Sequence, residues 1–149
     1  YLANKSKNII CTIGDGSMQM NIQELATIAH LNFPVKIFVI NNGGYGLIKQ
    51  TQDTWLNSRR VGVDETSGLA MPDLKKIAKA YKLETLEINN HNDLDEKLDY
   101  VLKSKKPILC DVKIDKNQKV IPKLEFGRPI HDLSPRLDKV ELKSNITEN

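Results

Sequence analysis

Two short stretches carry the oxygen chemistry of this 149-residue chain: Gly14-Asp15-Gly16-Ser17, and Asn41-Asn42 with the Gly43-Gly44 turn behind it. Asp15 offers a charged oxygen and Asn42 a neutral amide oxygen. A backbone carbonyl in the glycine turn offers a third. A hard cation such as Mg²⁺ takes oxygen ligands, often only one or two of them from side chains, and completes its shell with phosphate oxygens and water. Gly14 and Gly16 let the main chain approach a bulky anion closely. Ser17 can donate a hydroxyl hydrogen bond, and free amides near a helix start favour phosphate. Taken singly, Gly, Asp and Asn are common turn formers. As a pair of stretches they suit a divalent cation together with a phosphate.

The elements that must position these residues can be read from the flanking runs. Asn8 to Ile13 and Val35 to Ile40 are apolar and β-rich, and each runs directly into one of the two stretches. In an open parallel sheet, ligands bind at the carboxyl ends of the strands. The first run lacks clean alternation, which predicts a strand covered on both faces. Asn21 to His30 has helical periodicity in Ile22, Leu25, Ala26, Ile28 and Ala29, with Asn21 and Glu24 spaced as a capping box. Further helices are expected at 47–56, 72–81 and 92–104, and further strands at 84–88 and 107–114. Asn57 to Leu69 has no periodicity and reads as a mobile loop that could act as a lid. Lys123 to Pro135 reads as an extended arm, and the residues from 136 on as a frayed tail. His30 and His131 are read as structural and surface residues. The expected architecture is α/β, with three layers and a mostly parallel sheet carrying helices on both faces.

Composition narrows the class. A formal net charge of +3, with acids and lysines interspersed, gives no basic stripe for nucleic acid. No apolar run is long enough to span a membrane, and no signal peptide is visible. Cys11 and Cys110 both fall in apolar, strand-like runs, which predicts two buried free thiols and a reducing, cytoplasmic location. The chain begins at Tyr1 and enters a strand almost at once, so the expectation is the carboxy-terminal piece of a longer protein. Within it, residues 1–129 are expected to form an N-terminally truncated domain and 130–149 an arm and tail.

The run GDGSMQMNIQELATIAHLNFPVKIFVINNGGYG resembles the diphosphate-binding motif of thiamine-diphosphate enzymes, above all the acetolactate synthase large-subunit group. The resemblance extends from about Asn8 to Pro129. It implies the thiamine-diphosphate-binding fold, with Asp15, Asn42 and the carbonyl of Gly44 as Mg²⁺ ligands. It further implies that Gly14, Gly16 and Ser17 meet the diphosphate, while Tyr45, Gly46 and Leu47 line the cofactor. The implied chemistry is decarboxylation and carboligation of 2-keto acids. The group's activating glutamate lies on a pyrimidine-binding domain that this chain lacks, so no catalytic base is nominated and the piece alone should be inactive. The implied partners are that missing domain and further copies in a dimer or tetramer, with FAD possible in the full-length protein. The resemblance also admits the small subunit of a two-chain decarboxylase, or an acyl-transfer relative from a sugar pathway. One departure bears on substrate: where the synthases place a tryptophan after a glutamine, Gln50 here is followed by Thr51.

Overall fold

The computed structural model describes residues 2–5 and 7–146. The chain falls into two compact units, 1–118 and 119–149.

The first unit is built on four strands: β1 (Ile9–Gly14), β2 (Val35–Asn41), β3 (Glu84–Ile88) and β4 (Ile108–Lys113). All pair in parallel, in the spatial order β1-β2-β4-β3. Between β1 and β2 lie α1 (Asp15–Met20) and α2 (Glu24–His30). Between β2 and β3 lie α3 (Gly46–Trp55) and α4 (Leu74–Ala80), and α5 (Leu94–Lys103) joins β3 to β4. Strand periodicity sends alternate side chains to opposite faces, and the core divides accordingly. Ile37, Val39 and Leu109 pack with Met18 of α1, Leu25 of α2, and Leu74 and Ala78 of α4. Phe38, Ile108 and Cys110 pack with Ile88 and with Val101 of α5. The three layers and the parallel sheet expected from the sequence are therefore present.

Three local expectations are corrected. β1 is an edge strand in this chain and is not covered on both faces: Cys11 is exposed, and so is Ile10 at 53 %. Only Cys110 is buried, where burial pushes its thiol up to about 11. The helix after β1 starts at once, at Asp15, and no side chain caps either α1 or α2. At Asn21 and Glu24 there is only a main-chain bond, from Glu24 N to the Asn21 carbonyl at 3.0 Å, so the capping box does not form.

The stretch 57–69 carries local structure of its own. It holds a 3₁₀ turn, Glu65–Ser67, capped by Asp64, and Arg60 makes a two-point pair with Asp53 at 2.8 and 2.9 Å. Gln52 exchanges two hydrogen bonds with the main chain of Val61.

In the second unit, the segment read as an extended arm doubles back. Lys123 and Ser134 exchange main-chain hydrogen bonds at 2.9 and 2.8 Å, and Arg128 pairs with Asp132. The segment read as a frayed tail contains α6 (Lys139–Asn145), capped by Asp138 accepting from the Val140 amide. The last three residues, 147–149, lie outside the described residues.

Candidate cation and phosphate site

Parallel pairing of β1 with β2 sets Gly14 opposite Ile40, so the two strands end side by side. Asp15 is the first residue past β1, and Asn42 the first past β2. Both are delivered to the same sheet edge by strand length alone.

Asp15 is buried, at 2 % exposure. A buried carboxylate needs hydrogen-bond donors, and here the main chain supplies them. Gly16 N donates to Oδ1 at 2.8 Å, while Gly43 N and Gly44 N donate to Oδ2 at 2.8 and 3.0 Å. Burial still pushes the Asp15 carboxyl above its ordinary value, against the opposing pull of these amides. Gly44 N is shared: it also donates to Asn42 Oδ1 at 3.2 Å. The two side chains, distant in sequence, thus meet at one nitrogen.

The turn needs its glycines for space. A Cβ on Gly44 would stand 2.2 Å from the Val63 carbonyl oxygen, which also accepts a hydrogen bond from Tyr45 N at 2.9 Å. A Cβ on Gly16 would stand 2.3 Å from the ring of Tyr45. The close approach at Gly16 is therefore made by the Tyr45 side chain, which ties the first stretch to the second.

The remaining residues of the two stretches are distributed as follows. Gly14 ends β1 and its missing Cβ meets only Ser17 Oγ, at 3.9 Å. Ser17 is exposed on α1. Gly46 opens α3 against the Asn42 amide, and Leu47, in the first turn of α3, is 64 % exposed.

The donor set fits a hard cation. An oxygen carries roughly two acceptor sites. Asp15 Oδ1 accepts from Gly16 N, Asn42 Oδ1 from Gly44 N, and the Gly44 carbonyl from Gly46 N, so each can accept once more. Asp15 Oδ2 already takes two amides. Among the described residues no group of three or more His, Cys, Asp or Glu side chains could hold a metal by itself. A cation at this edge would therefore depend on oxygens brought by a ligand, as Mg²⁺ bound with phosphates does.

The glycine turn also borders a cleft of about 450 Å³. Its lining includes Asn42 to Gly46 and the cations Lys49, Arg60 and Lys116, and no role for these three cations was expected from the sequence. Gly14 to Ser17 are not part of that lining. Lys49 lies 3.4 Å from Asp64, whose hydrogen bonds from Thr66 and Ser67, with Lys49 beside it, hold its carboxyl down to about 2. Part of the cleft wall thus comes from the stretch 57–69, which carried no periodic signal.

Comparison with known proteins places the chain in a family. The family model described as the C-terminal TPP binding domain of thiamine pyrophosphate enzymes matches residues 1–112. Among curated relatives, the acetolactate synthase isozyme 1 large subunit of Escherichia coli (strain K12) is 35 % identical over 126 residues, covering 85 % of this chain and 22 % of its own length. The acetolactate synthase large subunit of Haemophilus influenzae is 34 % identical over 133 residues, covering 89 % of this chain and 23 % of its own. Acetolactate synthase 1, chloroplastic, of Zea mays is 30 % identical over 136 residues, covering 89 % and 21 %. The chain spans about a fifth of the length of these relatives.

Proposed function

Since the chain belongs to the thiamine pyrophosphate enzymes, as their C-terminal TPP binding domain, we propose that its sheet edge anchors the diphosphate of thiamine diphosphate through Mg²⁺. Asp15, Asn42 and the Gly44 carbonyl would hold the cation. Gly14, Gly16 and Ser17 would meet the diphosphate, and Tyr45, Gly46 and Leu47 would line the cofactor. The observation that carries this reading is the shared Gly44 amide, which brings the Asp15 and Asn42 side chains to one point, with acceptor capacity left on Asp15 Oδ1 and Asn42 Oδ1.

The chain's own part in the chemistry is binding and orientation. Three main-chain amides fix the Asp15 carboxylate before any ligand arrives, so little ordering is left to occur on binding. The rise in the Asp15 proton affinity caused by burial is opposed by any cation bound there, which favours the ionised form. When bound, thiamine diphosphate supplies carbanion stabilisation and so the decarboxylation and carboligation of 2-keto acids. The relatives' name, acetolactate synthase, makes that the leading activity for the full-length protein. Activation of the cofactor is assigned to a pyrimidine-binding domain outside this chain, in a homo-oligomer in the cytoplasm. Thr51 favours a second reading, a relative with a different acceptor. Its hydroxyl donates to the Leu47 carbonyl at 3.0 Å on the exposed side of α3, in the place where the synthases present a tryptophan.

The test is turnover of the full-length protein on pyruvate, with and without thiamine diphosphate and Mg²⁺. Cofactor-dependent acetolactate is the expected product. Acetaldehyde with carbon dioxide would make it a simple decarboxylase, and no turnover despite tight cofactor binding would direct the search to other keto acids.

A further inference from the structure

We propose that Asp111 is a positioning residue for the cofactor turn, acting through the side-chain amide of Asn41. The proposal rests on the reading of Asp15 and Asn42 as the anchor.

Asp111 lies inside β4, in the run Ile-Leu-Cys-Asp-Val-Lys, at 1 % exposure. A carboxylate there costs stability that an apolar residue would not, so its partners are informative. Oδ2 pairs with Lys113 Nζ at 2.8 Å, and Oδ1 accepts from Asn41 Nδ2 at 2.9 Å. Asn41 is the last residue of β2, opposite Lys113 in the register, which sets it diagonal to Asp111 on the same sheet face. Its other amide atom, Oδ1, accepts from Gly43 N at 3.1 Å. A carboxylate only accepts and a main-chain N–H only donates. With both satisfied, the Asn41 amide has a single orientation.

Gly43 N is also one of the two amides on Asp15 Oδ2, at 2.8 Å. A continuous path therefore runs from β4 to the proposed metal ligand: Asp111, Asn41, Gly43 N, Asp15. Without Asp111, the Asn41 amide could turn over and present its NH₂ to Gly43 N. That would repel the turn from the position in which Gly43 and Gly44 both reach Asp15. Such outer partners of metal ligands typically change metal affinity about 10- to 100-fold when removed.

The experiment uses the full-length protein and four variants: Asp111→Ala, Asp111→Asn, Asn41→Ala and the double alanine. Thiamine diphosphate binding in Mg²⁺ is measured by calorimetry. Hydrogen exchange of the peptide spanning 41–46 is followed by mass spectrometry without cofactor. Asp111→Ala and Asn41→Ala should each weaken cofactor binding about 10-fold or more and speed exchange at the turn. The double variant should be no weaker than the worse single, because both act on one path. Asp111→Asn, which keeps an acceptor oxygen for Asn41, should recover most of the affinity.

Wild-type affinity and exchange in Asn41→Ala would overturn the proposal, whether or not Asp111→Ala folds, as would additive losses in the double variant. Asp15→Ala separates the two levels. If it binds cofactor normally, the anchor itself is misassigned. If it fails to bind while the Asn41 and Asp111 variants bind normally, only the positioning role falls.

Discussion

The two edges of the sheet each bury charge, and they do so differently. At the carboxyl edge, Asp15 and Asp111 are at 2 % and 1 % exposure. At the amino edge, Lys36, the second residue of β2, is at 0 %. Burial shifts Asp15 and Lys36 toward neutrality, the carboxyl upward and the ammonium downward, the latter helped by nearby Lys105. The difference lies in what the charges are connected to. Asp15 gathers amides from both strand ends and Asp111 reaches the same turn through Asn41. Lys36 makes one described hydrogen bond, from Nζ to the Lys106 carbonyl at 2.7 Å, and that carbonyl belongs to an exposed residue. Buried charge therefore marks a site where it organises main-chain donors around an acceptor with capacity left, and marks only a cost where it ends at a single partner.

The comparison can be broken most sharply at Asp15. Asp15→Ala or Asn42→Ala should weaken Mg²⁺-dependent cofactor binding by more than about 100-fold, beyond the range typical of outer partners, with the fold retained by circular dichroism. Unchanged affinity in both, by calorimetric titration, would leave the carboxyl edge no different from the amino edge. Gly44→Ala comes next. Its Cβ cannot coexist with the Val63 carbonyl at 2.2 Å, and both partners are backbone. A loss of about 1–3 kcal/mol in urea unfolding is expected, with weaker cofactor binding as the turn shifts. At the amino edge, Lys36→Met should leave stability unchanged or raise it by about 1 kcal/mol, since an apolar chain of similar length replaces a buried charge. A large loss would show that the ammonium holds more than one carbonyl.

The smallest effect is in the pH dependence, where the two edges should oppose one another. The raised Asp15 value means that the native state holds its proton more tightly than the unfolded chain. In cofactor- and metal-free protein, stability from this group is therefore full below 3.8 and falls as pH rises through the higher native value. The lowered Lys36 value means that the native state binds its proton less tightly. Stability then rises with pH as the solution approaches 10.5 from below. Subtracting the melting curves of Asp15→Asn and Lys36→Met from wild type should give slopes of opposite sign.

What the sequence determined follows from local physics. Apolar β-rich runs placed β1, β2 and β4 and alternation placed β3, each within a residue or two, and helical periodicity placed α2, α4 and α5. Because two of those strands end at Gly-Asp-Gly and Asn-Asn, parallel pairing was enough to bring Asp15 and Asn42 to one edge. Other features had no local signal. Asn21 and Glu24 have capping-box spacing, but Gly14 runs straight from strand into helix, which leaves Asn21 as the C-cap of α1 and Glu24 as the first residue of α2. Cys11 and Cys110 sit in equally apolar runs, yet one strand lies at the edge and the other between neighbours. The segment 57–69 is held by Gln52 and Asp53 of α3, nine and seven residues from their partners. Nothing along β4 gives Asp111 a role until β2 is laid beside it and Asn41 is found diagonal to it on the same face. Periodicity reports which face a residue takes, and only the order of strands in the sheet decides which residue it meets there.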